Sequence, residues 1–265
     1  MGVAKLSTRD VSLIFKNRGQ TPVTALERVS LDVSDREFAV IVGPSGCGKS
    51  SILYLVAGLQ KPSTGTILLD GAAVDGPSRQ RGMVFQSYTL FPWLTVLQNV
   101  AFGPSLRGVP TAERLGTARD YVREVGLEGF EDAYPRQLSG GMMQRVALAR
   151  AMANDPEVLL MDEPFGALDS QTRSIMQQLL LRIWEQHHKT VLFVTHDIEE
   201  AIFLADRIYV MTARPGRIKE EIVVTLPRPR TVEMMTSEAF VALKRRVMDI
   251  LQEEVLRSLG LASAR

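Results

Sequence analysis

Phe38-Ala39-Val40-Ile41-Val42-Gly43-Pro44-Ser45-Gly46-Cys47-Gly48-Lys49-Ser50-Ser51 decides the fold. An unbroken apolar run opens directly onto a glycine-rich loop, and Ser50 to Leu59 then has helical character. A short apolar run bounded by turn residues reads as a strand buried on both faces, as in parallel sheets. The loop itself fits G-x-x-x-x-G-K-S/T. Its glycines let successive backbone N–H groups converge on phosphate oxygens at a helix N-terminus, where the dipole also favours anions. Lys49 is placed to reach β- and γ-phosphates, and the Ser50 hydroxyl to ligate Mg²⁺. The alternative is a chance match in a glycine-rich turn, against which the strand before and the helix after both argue.

Working outward, Leu6 to Val33 alternates apolar and polar residues around a turn-rich stretch, Asn17 to Pro22, and reads as antiparallel strands. Thr66 to Gly71 is a strand ending in a turn, and Gly82 to Phe85 leads to Gln86. From about Thr111 to Asn154 the pattern is helical, with Thr111–Val125 polar and amphipathic and Ser139–Ala153 rich in Ala, Met and Arg. Strand character returns at Val158–Met161, Thr190–Thr195 and Arg207–Met211. Buried strands alternating with helices imply a doubly wound α/β core. The segment between Gln86 and Asp155 is a helical lobe inserted into it. Gly216 to Leu226 reads as a closing hairpin, Pro227-Arg228-Pro229-Arg230 ends the compact part, and Ser237 to Leu259 forms an amphipathic tail helix.

Thirty-one Lys and Arg face thirty Asp and Glu, which gives neither a nucleic-acid footprint nor a polybasic membrane anchor. One cysteine excludes an internal disulfide, and three histidines offer no metal constellation. The apolar runs fall far short of the ~20 residues that cross a bilayer, and no signal-peptide core opens the chain. Gly2 has Leu6 where a myristoylation motif wants Ser or Thr. The expectation is a soluble chain that another chain must hold at any membrane.

Three further stretches carry chemistry. Val158-Leu159-Leu160-Met161-Asp162-Glu163 is an apolar strand ending in two carboxylates. Leu138-Ser139-Gly140-Gly141-Met142 precedes a helix that Ser139 can cap, with two glycines baring its amides as a second anion-binding helix start. An ordinary cap is the alternative for Ser-Gly-Gly taken alone. Gln86 ends one strand, and His196 closes another, Leu192-Phe193-Val194-Thr195-His196.

In this order, over residues 6 to 230, the motifs resemble those of the ATP-binding cassette (ABC) ATPases. The resemblance implies a P-loop NTPase (RecA-like) α/β core with an antiparallel β subdomain and an inserted α-helical subdomain at about 87–155. Residues 1–230 would form the ATP-binding domain and 231–265 a helical tail. It implies that Gly43, Pro44, Ser45, Gly46, Cys47, Gly48, Lys49, Ser50 and Ser51 bind ATP. Ser50, Gln86 and Asp162 would hold Mg²⁺, while Glu163 polarises the attacking water. His196 would read the γ-phosphate and brace Glu163, and Gln86 would sense the nucleotide state. Leu138, Ser139, Gly140, Gly141 and Met142 would act in trans on ATP held by a second subunit, so two chains close head-to-tail over two ATP molecules. Family members usually have Gln where Met142 and Met143 stand; Met at the first of these is familiar among importers. Asp169 in Ala167-Leu168-Asp169 matches the loop that couples the two sites. Phe15 stands where an aromatic stacks on adenine, a core Phe being the alternative.

Tyr88 to Val96 is strongly apolar yet follows Gln86 as a loop, and exposed apolar loops mark partner surfaces. By resemblance Phe91 and Trp93 contact a membrane permease, with core packing as the alternative. Phe91-Pro92-Trp93, Thr212-Ala213-Arg214-Pro215-Gly216-Arg217-Ile218 and Leu226-Pro227-Arg228-Pro229-Arg230 are similar to the nitrate/sulfonate/taurine/bicarbonate importers. Those importers use a periplasmic or lipid-anchored solute-binding protein. The implied function is the ATP-hydrolysing subunit of a bacterial importer, a homodimer peripheral to the cytoplasmic face of the inner membrane, with no nucleic-acid partner. A soluble ABC ATPase of translation or DNA repair is the alternative, though such proteins carry tandem cassettes or a long coiled-coil insertion. A single-site P-loop kinase leaves Leu-Ser-Gly-Gly unexplained. Cys47, beside Lys49 at a helix start, is expected to ionise more readily than an ordinary thiol and to be labelled by maleimide unless Mg-ATP covers it; a thiol turned behind the loop is the alternative.

Overall fold

The computed structural model describes residues 4–16 and 21–258, which form two compact units, one running to Pro77 and resuming at Lys189, the other Ser78–His188. Asn17 to Gln20 of the expected turn, Gly2 and Leu259 lie outside the described residues.

In the first unit, β1 (Leu6–Phe15) pairs antiparallel with β2 (Val23–Val33) on one side and β4 (Thr64–Leu69) on the other, and β5 (Ala72–Ala73) extends β4. This is the antiparallel sheet that the alternation of apolar residues requires; Leu6, Val11, Leu26, Val29 and Ile67 are buried. A second group of strands runs in the order β10-β9-β3-β8. In it β3 (Phe38–Val42) lies parallel to β8 (Thr190–Thr195) and β9 (Arg207–Met211), while β10 (Ile218–Val223) returns antiparallel to β9. Every residue of β3 and β8 is buried, as continuous apolar strands covered on both faces must be. Helices α1 (Lys49–Ala57) and α6 (Ile198–Leu204) pack on these strands, and α7 (Glu238–Ser258) packs on α6 and β9.

Two arginines of the Pro-Arg-Pro-Arg segment are structural. The short helix α6 ends at Leu204 with its last carbonyls unpaired within the helix, and cations are favoured at such an end. Arg230 donates to the carbonyls of Ile202 and Phe203 (3.1 and 3.0 Å), and Arg228 to that of Leu204 (2.8 Å) while forking onto Asp206 (2.9 and 2.7 Å). The Pro-Arg-Pro-Arg segment is thereby stitched to the end of α6.

The second unit holds the parallel pair β6 (Arg81–Val84) and β7 (Val158–Asp162) with helices α2 (Val96–Leu106), α3 (Thr111–Glu124), α4 (Gly140–Met152) and α5 (Ser170–His187). Helix α2 falls within the expected helical lobe, but ahead of the helical pattern read from Thr111 onward. Gly103 and Pro104 near its end obscure the apolar period, but Thr95 and Gln98 bond reciprocally as a capping box that starts it. Val96, Val100, Ala118, Val122, Val146 and Ala149 form the core among α2, α3 and α4. Parallel strands with helices, an antiparallel sheet and a helical lobe are thus all present as the sequence led one to expect.

Candidate nucleotide-binding site

In the first unit the phosphate loop leaves the carboxyl end of β3 and His196 leaves that of β8. The last residues of these strands, Val42 and Thr195, are register partners, so both segments emerge from adjacent points of one sheet edge. Open α/β sheets bind ligands at such edges. Gly48 caps α1 with φ of 104°, a left-handed conformation that side chains avoid, and a Cβ there would fall 2.6 Å from Leu26 Cδ2. Glycine is thus demanded twice over. The Lys49 ammonium donates to the carbonyl oxygens of Gly43 (2.9 Å) and Pro44 (3.2 Å), spanning the loop from inside. Ser45 and Gly46 are exposed, and Ser50 and Ser51 half-buried. His196 is exposed beyond the strand, where Thr195 Oγ1 accepts from the Asp197 N–H (3.0 Å) and Asp197 caps α6. Phe15 ends β1 opposite Val23 and is 42% exposed, so it is not the core Phe of the alternative reading.

Cys47 departs from its expectation. It is 1% exposed, and its Sγ lies 2.9 Å from the place a Cβ on Gly43 would take. The thiol therefore faces back beneath the loop, and only the residue's backbone borders the phosphate cradle. A thiol so enclosed does not meet maleimide, whatever its ionisation.

In the second unit, Gln86 and the Asp162-Glu163 pair issue from neighbouring carboxyl ends, because Val84 and Met161 are partners in the parallel ladder of β6 and β7. Asp162 is buried, whereas Glu163 is half-buried and Gln86 exposed. Glu163 has φ of 43°, held by a turn in which its carbonyl accepts from the Gly166 N–H (3.1 Å). Left-handed backbone at a non-glycine residue is strained, and such strain gathers at functional sites.

Ser139 caps α4 by accepting from the Met142 N–H (3.3 Å). The glycines after it do more than bare amides. A Cβ on Gly140 would meet the Tyr88 hydroxyl at 2.9 Å and one on Gly141 the Thr172 Cγ2 at 2.8 Å, so the helix start is pressed against both neighbours. Leu138 is buried and Met142 half-buried. Asp169 caps α5 through the Thr172 N–H (3.0 Å), a bond that holds its carboxyl below the usual range.

Sequence reasoning missed Arg150, at the far end of α4. Its guanidinium donates to the carbonyls of Thr89 (2.8 Å) and Tyr88 (3.3 Å) and to Thr89 Oγ1 (3.0 Å), and lies 5.5 Å from the centre of the Phe91 ring. Thr89, a β-branched residue at φ of 47°, is strained, and Arg150 braces it. Burial pulls the Arg150 pKa down. Of the two aromatic residues, Phe91 packs on Phe102 (4.4 Å between ring centres) and Trp93 is 69% exposed. Core packing therefore describes Phe91 in part, and Trp93 not at all.

Among the described residues no His, Cys, Asp and Glu cluster fit for a metal occurs, and no helix is long and apolar enough to cross a membrane. Comparison with known proteins agrees with the phosphate-loop reading. Residues 26–166 match the family model described as ABC transporter. An uncharacterized ABC transporter ATP-binding protein of Methanocaldococcus jannaschii is 54% identical over 255 residues, covering 96% of this chain and 94% of that one. The nitrate import ATP-binding protein of a Synechocystis species is 51% identical over 84% of this chain and 83% of its own length. The aliphatic sulfonates import ATP-binding protein of Bacillus cereus is 46% identical, with 92% and 94% covered. A dimeric ATP-binding cassette solved in a post-hydrolysis state with ADP and phosphate superposes with a TM-score of 0.73 at 35% identity, covering 84% of this chain and all of that one. The phosphate loop, the strand-end carboxylates and this kinship lead to one statement: the chain belongs to the ABC transporter family, as one of its ATP-binding, ATP-hydrolysing members.

Proposed function

We propose that this chain drives an importer of a small anionic solute, such as nitrate or an aliphatic sulfonate, as a homodimer beneath a separate pair of membrane permease subunits. The observation that carries the reading is the phosphate loop, in which Lys49 spans a glycine turn between a buried strand and a helix N-terminus. When ATP arrives, Lys49 exchanges the carbonyls of Gly43 and Pro44 for phosphate oxygens. The loop's N–H groups take the remaining oxygens, and Phe15 supplies a face for adenine, worth about 0.5–1.5 kcal/mol.

Ser50, Asp162 and Gln86 offer only hard oxygen donors and no imidazole or thiolate, a set that suits Mg²⁺, an ion that prefers a carboxylate, waters and phosphate oxygens to an all-protein cage. Held by these residues, the ion would supply neutralisation of phosphate charge. Glu163 accepts a proton from the attacking water, and His196 holds the γ-phosphate region and Glu163 in register. Ser139 and the amides of Gly140, Gly141 and Met142 bind the γ-phosphate of the second subunit's ATP, and Asp169 links the two sites. Closure over ATP and reopening after hydrolysis are converted by the permease into alternating access, with a periplasmic or lipid-anchored binding protein delivering the solute. The chain works at the cytoplasmic face of the bacterial inner membrane. The names of the nitrate and sulfonate relatives and the exposed Trp93 support the importer assignment.

Glu163→Gln tests the reading. The variant retains ATP binding, loses phosphate release by at least a hundredfold, and accumulates as a closed dimer in gel filtration with Mg-ATP. Ordinary turnover in Glu163→Gln would remove Glu163 from the chemistry.

A further inference from the structure

We propose that the last helix of the chain sets nucleotide affinity, through a strut in which Glu254 of α7 holds the 212–217 loop and Arg214 of that loop holds the phosphate loop. Among the described side chains of α7 the buried ones are Phe240, Val247 and Glu254, spaced by seven residues. A carboxylate thus stands where the helix's own pattern calls for an apolar side chain, and its side chain is only 5% exposed. Burying a charge is costly unless it is paired and hydrogen-bonded. Here one carboxylate oxygen accepts from the Ala213 N–H (3.3 Å) and the other meets the Lys219 ammonium (2.8 Å). Arg257, one turn further along α7, approaches the same oxygen at 3.5 Å.

The loop that Glu254 holds is internally rigid. The Thr212 hydroxyl donates to the Pro215 carbonyl (2.9 Å) and accepts from the Arg217 N–H (3.0 Å), while the Thr212 N–H reaches the Arg217 carbonyl (2.9 Å). Gly216 is also fixed to β2, donating to the Ala25 carbonyl (2.9 Å) and accepting from the Glu27 N–H (3.0 Å). From this platform two contacts reach the phosphate loop. Arg214 Nη2 donates to the Gly46 carbonyl (3.2 Å), and Gly216 lies so close to the Cys47 carbonyl that any Cβ on it would overlap that oxygen.

Both contacts act on carbonyls. In a trans peptide the C=O and the following N–H point in opposite directions. Fixing the Gly46 carbonyl toward Arg214 therefore turns the Cys47 N–H into the loop, where it meets the Pro44 carbonyl at 3.3 Å. Packing Gly216 on the Cys47 carbonyl does the same for the Gly48 N–H. Successive inward N–H groups make an anion-binding concavity, so the strut keeps the cradle in the shape that phosphate requires. Beside it lies an open groove of about 700 Å³ bordered by Pro44, Ser45, Arg214, Glu254 and Arg257. The outer side of the phosphate loop faces this groove, which Arg214 crosses to reach Gly46.

The inference rests on the reading that Gly43–Ser50 holds the triphosphate, and the test separates the two. In the full-length chain, Arg214→Ala, Arg214→Lys, Glu254→Leu, the Arg214→Ala/Glu254→Leu double variant and Lys49→Ala are titrated with a fluorescent ATP analogue, and melting temperatures and ATPase parameters are measured alongside. Glu254→Leu completes the apolar spacing of α7, so it keeps the helix packed while removing the acceptor for Ala213. Arg214→Ala and Glu254→Leu should each weaken ATP binding about five- to tenfold, raising KM with kcat near the unmodified value. Glu254→Leu should do so with a melting temperature no lower than the parent's. The double variant should bind no more weakly than the weaker single one, because both break one chain of contacts, and Arg214→Lys should restore part of the loss. Unchanged affinity in Arg214→Ala or in Glu254→Leu, or losses that multiply in the double variant, would overturn the strut. Retained binding in Lys49→Ala would overturn the phosphate-loop reading instead.

Discussion

Asn99 shows how much of the second unit's loop geometry hangs on one side chain. It is fully buried, and its carboxamide oxygen accepts from the Phe91 N–H (2.9 Å) while its NH₂ donates to the carbonyls of Phe91 (3.2 Å), Leu94 (3.0 Å) and Thr95 (3.0 Å). The Phe91 and Thr95 carbonyls also accept from the Leu94 N–H (3.1 Å) and the Asn99 N–H (2.8 Å), so it is the Phe91 N–H and the Leu94 carbonyl that depend on the amide. Asn99→Leu keeps the volume and strips the Phe91 N–H and the Leu94 carbonyl of this partner, at a cost of about 1–3 kcal/mol. Denaturant unfolding should show that loss, and limited proteolysis should cut between Phe91 and Thr95 faster than in the parent. An unchanged unfolding midpoint would place the loop's stability elsewhere. Nothing in the sequence singles out Asn99, because polar satisfaction is an account of partners and partners are three-dimensional. Cys47 was misread for the same reason: its neighbours in sequence are phosphate-binding residues, while its side chain belongs to the packing beneath them. Gly43, Gly48 and Lys49, by contrast, are legible, because backbone conformation and spacing along one turn are local properties.

Strands were the most legible elements. The apolar runs Thr190–Thr195 and Arg207–Met211 coincide with β8 and β9, since a strand covered on both faces has no polar residue before its ends. Helix α2 escaped because Gly103 and Pro104 break its pattern, although its Thr95–Gln98 capping box was in plain view. Helix α5 begins on a charged cap. Hydrogen bonds from Thr172 hold the Asp169 carboxyl below its ordinary value, so ionised Asp169 favours the folded chain. A depressed folded pKa gives a contribution fully present above the unfolded value, about 3.9, and lost as pH falls through the folded one. Asp169→Asn caps a helix nearly as well but cannot titrate. Melting temperature should therefore fall more steeply from pH 5 toward pH 3 in the parent than in Asp169→Asn. Parallel curves would show that the Asp169 charge adds nothing to the cap.

At the scale of the whole molecule, no described helix is long and apolar enough to cross a membrane, so the proposed importer role requires a separate permease. Coupling to a permease then depends on what the surface offers. Trp93 is the most exposed large apolar side chain of the stretch from Tyr88 to Val96, and Phe91 beside it (5.6 Å between ring centres) is propped by Phe102 and by the Arg150 guanidinium. Arg150 belongs to the helix that Ser139 starts, so one side chain joins α4 to the apolar loop. The two aromatics therefore have different tests. Phe91→Ser removes a half-buried ring and lowers stability as well as docking, so by itself it decides little. Trp93→Ser removes a largely exposed side chain whose ring contact is with Phe91, so little packing is lost with it. Its melting temperature, ATP affinity and basal hydrolysis should match the parent's. Against detergent-solubilised permease, the loss of an aromatic anchor of about 2 kcal/mol amounts to a roughly thirtyfold weaker complex. Co-purification and solute uptake should fall together, while ATPase activity in solution is unaffected. Undiminished co-purification of Trp93→Ser would mean that the permease grips the chain elsewhere and that the exposed indole serves another partner.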